Sequence, residues 1–244
     1  VSLAKEAEGV HCVLIAEDIE NLMIGPIRHD EPILASNEVL FYGQAIAAIL
    51  AESHDLAKKA ALLVTAEVEE LKSIVSIDEA MKSKSFLDEP MIVSTGDSKK
   101  AIKNAKNILT GSLSIGGQEH YYLEGQVAMS IPTEDNEMVV HSSTQNPTEV
   151  QHLVAYVLNV PQNAIEVITR RMGGGFGGKE TDSSQLACIC AIFSEKTKKP
   201  VKARLSRKDD MLLTGKRHDF VANYEVGYSD DGLIQGIDMD LSAR

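Results

Sequence analysis

The sequence has no tryptophan, few aromatic side chains (5%) and only three cysteines among its 244 residues. Cys12, Cys188 and Cys190 are too few for the disulfide framework of a small secreted protein or for the four thiolates of an iron–sulfur cluster. Cys188 and Cys190 lie two residues apart on a predicted helix, where they face different directions, so we expect buried thiols. These absences predict a reduced, cytoplasmic chain without disulfides.

Long apolar runs and excess positive charge are also missing. The longest apolar stretch, residues 45–51, is far shorter than the roughly 20 residues of a membrane-spanning helix, and no signal peptide is visible. Lys and Arg number 24 against 36 Asp and Glu, a net charge of -12. This charge repels nucleic-acid phosphates and anionic membrane surfaces. The sequence therefore predicts no nucleic-acid or membrane partner, and leaves a small molecule or another protein.

Residues 1–85 alternate strand-like segments with one helical segment, which predicts a compact α/β unit. The extended segments are predicted at 10–15, 38–42, 45–52 and 68–71, and the helix at 54–65. Polar residues together with Pro90 and Gly96 predict a linker at 86–100. Residues 101–244 form the second part, and the predicted fold class is mixed α/β.

The second part has clear signals for strands and helices. Period-two alternation or short apolar runs predict strands at 107–115, 126–131, 138–142, 164–169, 201–206 and 233–241. Asn146 as N-cap and Pro147 at the first position predict a helix over 147–158, and a second helix is predicted over 183–196. Because the chain starts at Val1 and stops just after a strand-like run, we expect it to be a piece of a longer polypeptide.

The most informative segment is Gly173–Glu180, with the sequence GGGFGGKE, between a predicted strand and a predicted helix. Glycines can adopt positive φ and leave peptide N–H groups open to an anion or an oxo group. The segment therefore predicts a ligand-binding loop.

Two phosphate-binding patterns and one purely structural explanation compete for this loop. Three of its glycines match GxGxxG, and residues 173–179 match GxxxxGK. A P-loop requires Ser or Thr after the lysine, where Glu180 stands, and a dinucleotide fold requires an acid at the end of the next strand, where 201–206 carries only basic charge. The structural explanation is a turn that permits tight packing of strand on helix.

Two other polar segments are candidate sites. Residues 116–124, GGQEHYYLE, are typical either of a hydrogen-bonded structural corner or of a ligand site, and His120 has no second metal ligand at HExxH spacing. Residues 142–147, SSTQNP, close a strand and open a helix. Capping by Asn146 explains most of this segment but leaves Gln145 unexplained.

The three segments resemble, in their order, the molybdenum-binding part of the xanthine dehydrogenase and aldehyde oxidase family. The similar stretches are GGQEH, STQN and RMGGGFGGKE. Residues 209–218, which by themselves indicate an exposed turn, are similar too, and residues 30–35 and 42–44 resemble the family's hammerhead domain. The resemblance implies a small α/β hammerhead domain at 1–85, followed by the first part of a molybdenum-cofactor-binding domain at 101–244.

The resemblance also implies a molybdenum–molybdopterin cofactor and roles for four residues. Gln145 would hydrogen-bond an oxo ligand of the metal, and Phe176 and Gly177 would offer backbone N–H groups beside it. Glu180 would bind a purine and stabilise charge that develops on it. Family members that oxidise aldehydes usually have an apolar residue there, so the resemblance favours purine oxidation, hypoxanthine or xanthine to urate, over aldehyde oxidation or nucleotide binding.

Other parts of the family's machinery are expected outside this sequence. The catalytic general base is expected beyond Arg244, and the iron–sulfur clusters and FAD on other domains or subunits. The complete enzyme is expected to be a homo-oligomer. We therefore expect the chain by itself to be inactive and to hold no molybdenum.

Overall fold

A computed structural model describes all residues from 1 to 244 and shows a mixed α/β fold. The helices are α1 (Ser2–Lys5), α2 (His54–Ala61), α3 (Ile77–Ser83), α4 (Ser98–Asn104), α5 (Pro147–Leu158), α6 (Asp182–Thr197) and α7 (Arg207–Leu213). The strands are β1 (Val10–Leu14), β2 (Met23–Ile24), β3 (Glu31–Pro32), β4 (Ala48–Ala51), β5 (Asn107–Ile115), β6 (Val127–Pro132), β7 (Met138–Ser142), β8 (Ile165–Ile168), β9 (Val201–Arg204), β10 (Phe220–Tyr228) and β11 (Ile234–Ala243). None of the helices combines the length and the apolar character needed to cross a bilayer.

The chain divides into two compact units, each made of two separate stretches of sequence. Residues 1–68 and 120–215 form the first unit, and residues 69–119 and 216–244 form the second. The sequence predicted a linker between two domains at 86–100, which is not one of these unit boundaries. That domain division stays a prediction.

A four-stranded sheet, in the order β8-β7-β6-β9, forms the centre of the first unit. β7 and β8 are parallel and are joined by α5, whereas β6 pairs antiparallel with both β7 and β9. Most of α6 is buried over its whole circumference, as expected of a helix apolar on all sides. Cys188 and Cys190 lie on it with 0% exposure, which confirms the prediction of buried thiols.

The residues before position 68 contribute two small antiparallel pairs, β1 with β4 and β2 with β3. Residues 38–42 form no strand, and that prediction was wrong. Their alternation buries nothing, since Leu40 and Tyr42 are 64% and 84% exposed, and no neighbouring strand pairs with their backbone. Residues 68–71 form no strand either, and α2 ends at Ala61, before the predicted end at residue 65.

The helix α5 was predicted with its bounds. Asn146 Oδ1 accepts the Glu149 N–H at 3.1 Å, which confirms the N-cap. At the other end Asn159 takes a left-handed conformation with φ +54°, a common way to end a helix. Residues 209–218, by contrast, are not simply an exposed turn, because α7 forms at 207–213 and buries Asp210.

The second unit contains a three-stranded antiparallel sheet in the order β11-β10-β5. The helix α4 packs against one face, where Gly227 and Gly236 leave room for Ile102 and Ala101. The opposite face, which we call the open face, carries apolar residues at paired positions that remain 43–61% exposed: Leu109, Leu113, Ile237, Met239 and Leu241. The five side chains of the open face are therefore largely accessible to water.

Candidate functional site

The glycine loop, Gly173–Glu180, lies in the first unit between β8 and α6, as its sequence predicted. Three of its residues have positive φ: Gly174 at +95°, Phe176 at +54° and Gly177 at +92°. Such angles are rare for residues with a side chain, so Phe176 occupies a conformation that the surrounding contacts must hold.

The side chain of Gln145, from the loop between β7 and α5, is fixed against the glycine loop. Its Oε1 accepts the N–H groups of Gly177 at 2.9 Å and of Lys179 at 3.3 Å. Its own backbone N–H donates to the carbonyl of Lys179 at 2.8 Å. Since Oε1 is engaged twice, the amide Nε2 is the polar group that this side chain presents to a ligand.

Gly175 must be a glycine for this contact to exist. A Cβ added there would lie 2.3 Å from Gln145 Oε1, far inside van der Waals contact. Gly177, in contrast, has no atom nearer than 3.8 Å to such a Cβ, so that side of the loop is open.

Phe176 and Gly177 differ in what their N–H groups do. The Phe176 N–H has no acceptor within the protein, and its side chain is 76% exposed. The Gly177 N–H, expected to face a metal ligand, donates to Gln145 instead. The open side of the loop therefore presents one free backbone donor beside the Gln145 amide.

Lys179 points into the protein, and its side chain is 0% exposed. Its Nζ donates to Ser143 Oγ at 2.8 Å and to Glu124 Oε2 at 3.1 Å, and it lies 4.7 Å from the centre of the Tyr122 ring. Burial lowers the pKa of Lys179, and the charge and hydrogen bond of Glu124 oppose that shift. Because its ammonium is enclosed, Lys179 has no free group for a phosphate, which argues against the P-loop interpretation.

Glu124 receives three hydrogen bonds at one carboxylate oxygen. Besides Lys179, the Ser143 hydroxyl donates at 2.5 Å and the Gly173 N–H at 2.9 Å. Burial alone would raise the pKa of Glu124, but these three donors together lower it. Glu124 is therefore held as a carboxylate.

A second buried polar group supports the far end of the loop. The Tyr122 hydroxyl and the Gln126 N–H both donate to Asp210 at 2.6 Å, and Gln126 Nε2 donates to the Gly178 carbonyl at 2.9 Å. Burial raises the pKa of Tyr122, and its bond to Asp210 adds to the rise. Segment 116–124 is thus, at Tyr122 and Glu124, a structural support for the loop. The sequence left a structural corner as one of two interpretations of this segment. It did not predict that Asp210 would be its hydrogen-bond partner.

Glu180 is exposed, directly after the buried Lys179. Its charge is one of the factors that raise the pKa of Glu149, after the larger effect of burial. Glu31 likewise has a raised pKa, from burial and from the charges of Asp182 and others. The surface beside Glu180 is therefore acidic. In the described residues 1–244, no cluster of His, Cys, Asp or Glu side chains could bind a metal ion directly.

Comparison with known families decides between the remaining interpretations. Residues 83–244 match the family model of the molybdopterin cofactor-binding domain, and residues 1–72 match that of the aldehyde oxidase and xanthine dehydrogenase a/b hammerhead domain. The chain belongs to the molybdenum hydroxylase family. The family resemblance and the cofactor, molybdopterin, are confirmed for this family member.

Relatives of this molybdenum hydroxylase chain include two xanthine dehydrogenases. The "Xanthine dehydrogenase" of Dictyostelium discoideum is 42% identical over 99% of the chain, and the "Xanthine dehydrogenase/oxidase" of Rattus norvegicus is 40% identical over 98%. In both cases the chain spans only 18% of the relative's length.

Solved structures show the same fold at lower identity. Quinoline 2-oxidoreductase from Pseudomonas putida 86 aligns with a TM-score of 0.86 at 20% identity, covering 99% of this chain and 33% of that one. Aldehyde oxidoreductase from Desulfovibrio gigas aligns with a TM-score of 0.86 at 24% identity, covering 99% and 29%. These likenesses confirm the mixed α/β fold class.

The geometry of the loop fits the cofactor of the family. An oxo or anionic group needs hydrogen-bond donors on an open surface, and the Phe176 N–H and Gln145 Nε2 are two such donors, neither used within the protein. The open side of Gly177 allows close approach.

Proposed function

We propose that this chain forms part of the molybdenum site of a purine-oxidising hydroxylase that converts hypoxanthine or xanthine to urate. The observation that carries the proposal is an exposed carboxylate at Glu180 and a backbone donor at Phe176 on the glycine loop, beside the Gln145 amide from the loop between β7 and α5. A phosphate site would not place an acid there. The names of the 42% and 40% identical relatives support a purine over an aldehyde.

The roles proposed for the residues rest on their positions at the loop and on the family resemblance. Gln145 Nε2 and the Phe176 N–H would donate to oxygen ligands of the metal, and Gly177 would hold the Gln145 amide while its open side faces the cofactor. When bound, the cofactor supplies the redox chemistry that hydroxylates a ring carbon. Glu180 would accept a hydrogen bond from a purine N–H and so orient the ring and stabilise charge during the reaction.

The remaining machinery is assigned to the rest of the complete protein. The general base would lie beyond Arg244, and iron–sulfur clusters and FAD on other domains or subunits would carry electrons away. In this chain the two innermost thiols are unsuited to cluster binding, since burial raises the pKa of Cys190 to about 12 and raises that of Cys188 as well. We propose that the chain alone is inactive and that the complete enzyme is a homo-oligomer.

Glu180→Ala in the complete protein tests the substrate role. We expect kcat/KM for xanthine to fall about 10²- to 10³-fold, the usual effect of removing one group that stabilises transition-state charge. Molybdenum content should stay unchanged. Glu166→Ala, at an exposed position on β8, is the matched control and should leave both unchanged.

Three results would contradict the proposal. Unchanged turnover of xanthine in Glu180→Ala would remove the substrate role. A complete wild-type protein that oxidises aldehydes but no purine would favour the aldehyde-oxidising alternative. Saturable binding of ATP or NADP, without molybdenum, would favour a nucleotide site.

A further inference from the structure

The contacts of Glu124 and Lys179 link the two ends of the glycine loop. At its start, Gly173 is bound twice by Glu124: the Gly173 N–H donates to the carboxylate at 2.9 Å, and the Glu124 N–H donates to the Gly173 carbonyl at 3.1 Å. At its end, Lys179 Nζ donates to the same carboxylate oxygen. One side chain therefore fixes both ends of the loop.

The backbone of Lys179 in turn holds Gln145. Its carbonyl accepts the Gln145 N–H at 2.8 Å, and its N–H donates to Gln145 Oε1 at 3.3 Å. A shift of Lys179 would thus move the amide that faces the open side of the loop. Ser143 completes the arrangement, since its hydroxyl accepts from Lys179 and donates to Glu124.

We propose that Glu124, Lys179 and Ser143 form a clamp that holds the ends of the glycine loop together and thereby positions the Gln145 amide. We class these three as positioning residues, because each acts on the Gln145 amide through the loop, and Ser143 and Lys179 are themselves buried. A lysine with 0% exposure is otherwise hard to explain, since a buried ion pair contributes less to stability than apolar residues of the same volume. The catalytic consequence of the clamp rests on the proposed function, whereas its effect on the loop does not.

Hydrogen exchange in the complete protein tests the clamp directly, with the Gly173 and Gly177 amides as reporters. In Ser143→Ala we expect both to exchange about tenfold faster, the factor that one hydrogen bond to a charged group contributes to a local equilibrium. Ser142→Ala is the matched control, because the neighbouring Ser142 Oγ is buried and has no hydrogen-bond partner. It should leave both amides unchanged.

The double variant Glu124→Gln/Lys179→Met separates positioning from stability. It leaves no buried charge unpaired, so its melting temperature should lie near that of the wild type. The Gly173 and Gly177 amides should nevertheless exchange faster than in the wild type, as in Ser143→Ala. For xanthine oxidation, the fall in kcat should be larger than the change in KM. If the loop amides exchange as slowly as in the wild type, in either the double variant or Ser143→Ala, the clamp is refuted.

Failure of the clamp and failure of the proposed function are distinguishable. Absence of molybdenum and purine turnover in the wild type would refute the function, while exchange of the loop amides would still decide on the clamp. Wild-type activity together with unchanged exchange in the variants would refute only the clamp.

Discussion

Two regions of the molecule differ from the usual distribution of side chains, because one buries a charged residue and the other exposes aliphatic residues. Beside the glycine loop of the first unit, Lys179 is 0% exposed. On the open face of the second unit, Leu113 and Leu241 are 54% and 61% exposed. The lysine has fixed oxygen partners, whereas the leucines lie against water. Hydrogen-bond partners at the loop, and not the polarity of the side chain, therefore explain why the lysine is buried. Substitutions in the two regions should lower the free energy of unfolding by very different amounts.

The largest effect is expected from Glu124→Gln. It leaves the Lys179 ammonium buried without its carboxylate, a change that typically costs about 3–5 kcal/mol of unfolding free energy. Lys179→Met should cost less, because Glu124 keeps 40% of its side chain exposed to water. Denaturant unfolding of the complete protein measures both.

The matching ion pair in the second unit, Lys106 with Asp230, is exposed at both side chains. Asp230→Asn should therefore leave the unfolding midpoint unchanged, since water replaces the lost contact. Equal losses of unfolding free energy in Glu124→Gln and Asp230→Asn would show that the two ion pairs contribute alike, against this prediction.

A smaller effect is expected from Gly175→Ala. The added Cβ would lie 2.3 Å from Gln145 Oε1 and 2.6 Å from its Cδ, so Gln145 must move, at about 1–3 kcal/mol. Gly116→Ala in the second unit is the control, because no atom lies within 4 Å of its added Cβ. Comparable unfolding free energies for the two variants would show that the loop accommodates the added methyl group without loss of stability.

The pH dependence of stability should differ between wild type and Glu124→Gln. Because the pKa of Glu124 is lowered from 4.5 by folding, its contribution is present above about pH 4.5 and is lost as the pH falls through the lower folded value. The gap in melting temperature between the two proteins should therefore narrow as the pH falls below about 4.5. A constant gap would mean that Glu124 is not held as a carboxylate.

The smallest effect is expected on the open face. Leu241→Thr should change the unfolding free energy by no more than about 0.5 kcal/mol, because the side chain is already 61% exposed. Leu153→Ala, at 3% exposure on α5, should instead cost about 2–5 kcal/mol. A large loss in Leu241→Thr would show that this face is covered in the complete protein.

Local signals in the sequence predicted much of the fold. Asn146 and Pro147 defined the start of α5, and period-two alternation defined β5 at 107–115, because capping and pleating depend on neighbouring residues. The strand predicted at 38–42 was wrong, since a strand also needs a partner, which no local pattern supplies.

The candidate site was predictable only in outline. The glycines marked the loop and the order of motifs marked the family, but the burial of Lys179 depends on Glu124 and Ser143, which lie 55 and 36 residues away in sequence. A lysine between glycines suggests a surface charge until those distant residues are placed. The same holds for Asp210, 88 residues from Tyr122, in a segment that indicated an exposed turn.

The division of each unit into two stretches has a consequence for synthesis of the chain on the ribosome. β5 is complete at Ile115, but its partner β10 begins only at Phe220, after the whole stretch 120–215 of the first unit has been made. Contacts so distant in sequence form slowly, and an unpaired strand edge can pair with the wrong partner. The first unit can thus close before the second, and β5 waits for its partner strand as an unpaired edge while the first unit is being made.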